Sequence, residues 1–304
     1  MSDKHDTTHI FQALIVNAFI TLGKGIAAFF TGSGALLAET IHTAADCGNQ
    51  LILLLGVKSA QKAPDDEHPL GYGRSLYFWS FIVALFLFVG GGVFSIYEGI
   101  HKLSAPEPIT LVGVGFGILI FSLILEGGST LSNIKEMNKR RGALPFVRYL
   151  RETKDSDLVV VFGENAAATI GLIVALISLS ASWITGDPIW DAWGSLAIGI
   201  VLIGVAIFLA IEVKSLLIGE SGDVAIRHAV EEILPHHSQV TRLLHLIAVQ
   251  QGPGEVLLMM KLGFQPNLDV GVVCDVINKL EVAIRAKCPE VRWCFIEPDR
   301  PRLE

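Results

Sequence analysis

Gly34 to Gly56 reads GALLAETIHTAADCGNQLILLLG, an apolar run long enough to cross the ~30 Å of bilayer hydrocarbon that nevertheless carries Glu39, His42 and Asp46. The three fall at i, i+3 and i+7, so they share one helix face. On insertion scales an Asp, Lys or Arg at a helix centre costs on the order of 2.5 to 3.5 kcal/mol, so such a face needs a purpose.

The rest of the chain has the same character. Of its 304 residues 51% are hydrophobic and only 17% charged, and the charges gather near the start, around 58–75 and 135–157, and after 212. Stretches of roughly 20 apolar residues occur at Ile10 to Phe30, Leu36 to Val57, Leu76 to Ile96, Ile109 to Leu131, Leu158 to Trp183 and Trp190 to Leu217. They predict an α-helical membrane protein of six transmembrane helices. The polar start MSDKHDTTH runs into a stretch with no small-residue cleavage site, and is read as leading into the first span rather than as a secretory leader.

Orientation follows from the basic residues. The connection after the fourth span carries Lys135, Lys139, Arg140, Arg141, Arg148, Arg151 and Lys154, and that after the second carries Lys58, Lys62 and Arg74. The opposite connections are nearly bare, with only Lys102 in the third, so the positive-inside rule places both termini in the cytoplasm. Tyr77, Trp79, Trp183 and Trp190 lie near predicted helix ends, where aromatic rings favour the headgroup layer.

After Gly219 the pattern becomes that of a water-soluble unit of about 85 residues, a size that can fold alone. Asp223 to Leu234 and Val270 to Lys287 have helical spacing, while Leu243 to Val249, Val256 to Gly263 and Val291 to Ile296 read as strands. The order α-β-β-α-β predicts a two-layer α+β domain, dividing the chain into a membrane part, 1–218, and a cytosolic part, 219–304.

Several function classes are disfavoured. The net charge of −7 argues against nucleic acid as a partner. Cys47, Cys274, Cys288 and Cys294 form no CxxC pair, so neither a disulfide framework nor a thiolate zinc cluster is indicated. The chain has no nucleophile with a neighbouring base, no nucleotide loop and no HExxH, so it does not read as an enzyme and no resident cofactor is expected.

What remains is metal. His42 and Asp46, one turn apart, can present an imidazole nitrogen and a carboxylate oxygen to one cation, a mixture suited to zinc and tolerant of cobalt, iron or manganese. In DLVVVFGENAAATIGLIVAL, residues 157–176, Glu164 and Asn165 are the strongly polar positions of the fifth span and should face the bundle interior, where they could complete the site. The competing readings are a His42–Asp46 bond within the helix and, for Glu164 and Asn165, a hydrogen bond between helices. Lys24 and Glu126 either snorkel to an interface or pair with a buried partner, and Glu126 could instead relay protons.

The stretch GSGALLAETIHTAAD, 32–46, followed by PDDEHPLGYGRS, 64–75, resembles the cation diffusion facilitator family of zinc and related metal transporters, and the resemblance extends over essentially the whole chain. It implies a homodimeric antiporter that exports divalent cations from the cytoplasm, zinc first and Mn2+, Fe2+, Co2+ or Cd2+ otherwise, in exchange for protons by alternating access. The αββαβ tail would be a metallochaperone-like dimerisation domain, and the location a bilayer such as a bacterial inner membrane. The helix-two ligands map onto His42 and Asp46. In the fifth span the family's aspartate position falls on Asn165 and its histidine position on Val161, so Glu164, beside Asn165, is the natural substitute; the departure resembles the branch that includes the animal mitochondrial zinc exporter, where the acidic pair on this helix is arranged differently.

In the loop after the second span Asp65 and His68 match a possible secondary site, whereas Tyr72 stands at the later histidine position. In the tail, Lys261 and Phe295 stand where the family's regulatory histidines would be, so dimerisation without bound zinc is expected. Arg74 is expected to bridge towards Glu220. A non-transporting scaffold or metal sensor that kept the fold is the competing function.

Overall fold

A computed structural model describes residues 7–153 and 156–300; Met1–Asp6, the polar start, and Lys154, counted above among the basic residues, lie outside the described residues. Two compact units result, one of residues up to Ser59 together with Leu76–Lys214, the other of Ala60–Ser75 together with Ser215 onward.

The first unit is built of helices. α1 (Thr7–Thr31) and α2 (Gly34–Ala60) are followed by α3 (Ser75–Phe86), a π-helical segment (Leu87–Val93) and α4 (Phe94–Ser104), which together make one continuous helical stretch. α5 (Val112–Arg140), a short α6 (Phe146–Glu152), α7 (Ser156–Thr185) and α8 (Ile189–Ile218) complete it. Among the described residues four stretches are long and apolar enough to cross a membrane: Ser75–Ser104, Val112–Arg140, Leu158–Thr185 and Ile189–Ile218. The expected fourth span, Ile109 to Leu131, begins at Val112 and continues as helix through the basic residues to Arg140, and α6 was not expected from the sequence.

The polarity of this unit is turned inside out relative to a water-soluble bundle. Phe19, Phe29, Ile124, Ile184 and Ile200 are exposed, whereas Lys24, Glu39, His42, Asn49 and Asp191 are buried. An apolar outer surface of this extent is tolerated in lipid, where backbone polar groups are satisfied within each helix. Tyr77 is fully buried, while Trp183 and Trp190 are exposed. The helices approach closely where side chains are absent: a Cβ on Gly92 would overlap Ile203, and one on Gly99 would overlap Leu196, bringing the Leu87–Ser104 segment against α8.

The second unit holds α9 (Val224–Ile233), β1 (Val240–Gly252), β2 (Glu255–Phe264), α10 (Val270–Lys287) and β3 (Val291–Asp299). The sheet order is β1-β2-β3, with β1 and β2 antiparallel and β2 and β3 parallel. Asp223 caps α9 by accepting from the Ala225 N–H at 2.8 Å, and Asp269 caps α10 through Gly271 at 2.8 Å. Val256, Leu258, Met260 and Leu262, alternate residues of β2, face Ile226 and Val230 of α9 and Val276, Leu280 and Ile284 of α10 in one core. The loop Ala60–Ser75 packs onto this unit backbone to backbone, since a Cβ on Gly73 would lie 2.8 Å from the Gln251 carbonyl oxygen and 3.1 Å from the Gly252 Cα.

Candidate metal site

The polar face of α2 is longer than its three ionisable residues. Glu39, His42, Asp46 and Asn49 recur at helical spacing and all four are buried. Two contacts fix what this face meets. At one end Glu39 packs against α7 so closely that a Cβ on Gly171 would overlap its Oε1; at the other, Asn49 Nδ2 donates to Glu164 Oε1 at 2.7 Å. α2 and α7 therefore run antiparallel along this seam, and His42 and Asp46 lie between the two contact points.

His42 is fully buried and neither Nδ1 nor Nε2 has a hydrogen-bond partner. Its Nε2 is 3.7 Å from Asp46 Oδ2, beyond hydrogen-bonding distance, so the within-helix bond weighed above is not made. Asp46 Oδ1 and Asn49 Oδ1 are likewise buried without partners. Leaving one such atom dry costs about 1–3 kcal/mol, and several on one helix face mark a place that a further group would complete. The π-helical segment lies over this turn, with a Cβ on Gly91 falling 3.7 Å from His42 Nδ1; π turns concentrate at functional sites.

Glu164 and Asn165 are neighbours in sequence but differ in their contacts. Glu164 is buried towards α2 and interacts electrostatically with Asp46. Asn165 is half-buried, and its backbone carbonyl accepts from Thr130 Oγ1 of α5 at 2.8 Å. Among the described residues no three His, Cys, Asp or Glu side chains stand close enough to hold one ion.

Lys24 does not snorkel. It is fully buried, and its Nζ donates to Glu39 Oε2 at 3.2 Å, Thr43 Oγ1 at 2.8 Å and Glu126 Oε1 at 2.9 Å. At the far end of α2, Asp191 of α8 caps the helix by accepting from Ser33 Oγ at 2.6 Å and from the Gly34 N–H at 2.5 Å. Lys102 sits beside this cap and donates to the Gly32 carbonyl.

The cation efflux transmembrane domain matches residues 10–218 of the chain. The chain belongs to the cation diffusion facilitator family. This facilitator is 30% identical over 257 residues to a mitochondrial proton-coupled zinc antiporter of Homo sapiens, a match covering 84% of this chain and 45% of that protein. It is also 30% identical over 273 residues to a metal tolerance protein of Arabidopsis thaliana, covering 89% of this chain and 60% of the relative. With the magnetosome protein MamB of Magnetospirillum gryphiswaldense it shares 25% identity over 299 residues, 95% of this chain and 93% of that one. The chain spans about half the length of the zinc antiporters it matches. Family and apolar helices together make it a membrane protein related to the mitochondrial zinc exporters.

The facilitator's loop pair is exposed. His68 Nδ1 lies 3.7 Å from Asp65 Oδ1, which already accepts from the Glu67 and His68 N–H groups, and Tyr72 Oη donates to Asp65 Oδ2 at 2.7 Å. The Tyr72 hydroxyl, followed by the His68 backbone N–H, holds the Asp65 carboxyl below its ordinary range. Arg74 lies over Gly219, where a Cβ would be 3.2 Å from its Nη2.

In the tail of the facilitator, His245, Lys261 and Glu297 stand opposite one another across the three strands. Lys261 Nζ donates to Glu297 at 2.9 Å and to Asp299 at 3.3 Å, while Phe295 is exposed.

Asn49 and the partners of Lys24 are what sequence reasoning missed. Asn49 was accessible to it, since it continues the spacing of Glu39, His42 and Asp46; the partner set of Lys24 joins three helices and carries no local signal.

Proposed function

We propose that this facilitator exports a divalent cation, zinc first, in exchange for protons, and that the ion is held by His42, Asp46 and Glu164, with Asn165 or Asn49 supplying an amide oxygen. The observation that carries the reading is the buried imidazole with two unpartnered nitrogens, one turn from a buried carboxylate with an unpartnered oxygen. Because no three such side chains among the described residues stand close enough to share an ion, binding would draw His42, Asp46 and Glu164 together, and Glu164 would exchange its bond to Asn49 for the ion. Imidazole nitrogen with carboxylate oxygen suits zinc.

Proton exchange follows from ligand chemistry, because the ligands bind metal only when deprotonated and a proton arriving from the far side competes for the same lone pairs. α1 and α2 cross the bilayer with the four apolar stretches, giving six spans with both termini cytoplasmic, as the basic connections after α2 and α5 require. The αββαβ tail joins two copies into a homodimer, with Lys261 and Phe295 leaving no histidine pair for a regulatory zinc. The names of the relatives, a proton-coupled zinc antiporter among them, support the same direction.

Reconstituted vesicles with an imposed proton gradient test the proposal. Zinc accumulation should collapse when the gradient is dissipated and fall at least tenfold in His42→Ala and Asp46→Ala. Absent transport by the intact chain would favour the scaffold or sensor reading, and gradient-independent transport would overturn the proton exchange.

A further inference from the structure

The cluster of Lys24, Glu39, Glu126 and Thr43 adjoins the proposed ion site without belonging to it. Glu39 and Thr43 stand three residues before and one residue after His42, and both are bound by the Lys24 ammonium. The Thr43 hydroxyl donates its own proton to the Glu39 carbonyl at 2.9 Å, so its lone pair is directed to Lys24. Glu126 brings a second carboxylate from α5 to the same nitrogen. Each carboxylate keeps one buried oxygen without a partner, Glu39 Oε1 and Glu126 Oε2. The charge of Lys24 reaches His42 and Asp46 electrostatically.

Two carboxylates and a hydroxyl are oxygen donors of the kind preferred by hard cations such as Mg2+ and Mn2+. An ammonium among them takes the place such a cation would seek. We propose that Lys24 is a specificity-determining positioning residue: by holding Glu39 and Glu126 it withholds two hard oxygen donors from the passing ion and fixes the turn of α2 that presents His42. This rests on the reading of His42 and Asp46 as ligands of the transported cation.

The test is zinc transport by the full chain in vesicles, with Mn2+ and Mg2+ as competitors. Lys24→Met frees both carboxylates, and Mn2+ should become a stronger competitor by roughly tenfold. Two uncompensated buried carboxylates oppose folding, so a second variant, Lys24→Met with Glu126→Gln, leaves Glu39 alone and should still show a rise of a few fold. Adding Glu39→Gln removes the last freed carboxylate and should return competition to the wild-type profile. An unchanged profile in both Lys24 variants, or a shifted profile that persists in the triple variant, would overturn the proposal. His42→Ala in the wild-type background separates the two levels: if it transports normally, the ligand reading itself fails, whatever the Lys24 variants do.

Discussion

Asn49 Nδ2 donates to Glu164 Oε1 at 2.7 Å, tying the buried polar face of α2 to α7 inside the membrane part of the protein. Under the proposed function, an ion held by Glu164 would take the place of this bond. Asn49→Ala leaves the Glu164 carboxyl buried without this donor, at a cost of about 1–3 kcal/mol. Thermal unfolding of the detergent-solubilised protein should shift down accordingly in the absence of zinc, and saturating zinc should recover most of the difference. Equal melting of variant and wild type without zinc would contradict this role.

Gly171→Ala tests the other end of the same seam. The added methyl would meet Glu39 Oε1, and Glu39 has little freedom to retreat because Lys24 holds its second oxygen. Overpacking of this kind costs about 1–3 kcal/mol. The melting temperature should fall, and Gly171→Ala combined with Glu39→Ala should recover part of the loss.

Asp191 is predicted to matter through the start of α2. It accepts from Ser33 Oγ and from the N–H groups of Gly34 and Ala35. Asp191→Ala should destabilise by about 1–2 kcal/mol, whereas Asp191→Asn, which keeps an acceptor oxygen, should lose less. Hydrogen exchange localised to residues 34–37 would read the effect directly.

Burial pushes the Cys294 thiol up to about 11 in the tail, whereas Cys274 is exposed. At pH 8 the thiolate fraction of Cys294 is therefore far below that of an ordinary cysteine, and alkylation requires the thiolate. Maleimide labelling of the folded protein should modify Cys274 first and leave Cys294 at least tenfold slower; raising the pH towards 10 should accelerate Cys294. Comparable rates at pH 8 would contradict the burial argument.

Much of the candidate site was legible because its logic is local. His42 and Asp46 were found from spacing on one helix in a setting where charge is costly, and the two-layer tail from its alternating apolar pattern. What lay beyond reach depends on phase or on distance in sequence. Glu164 and Asn165 differ by one residue, roughly 100° of helix rotation, and the apolar residues around them do not say which faces α2. The partners of Lys24 lie 15, 19 and 102 residues away. The π turn at Leu87–Val93 likewise leaves an unbroken apolar run, because its widened hydrogen-bond ring changes geometry and not composition. Asn49 was missed although its spacing was available, since an amide alone in a membrane helix reads most simply as a contact between helices.

The most direct test of the ligand set is zinc X-ray absorption on the intact protein, loaded with one equivalent of metal, compared with His42→Ala and Glu164→Ala. The account predicts a first shell at about 2.0–2.2 Å built of imidazole nitrogen and oxygen, with the imidazole signal lost in His42→Ala and one oxygen lost in Glu164→Ala. A sulfur shell, or a spectrum identical in wild type and His42→Ala, would contradict it.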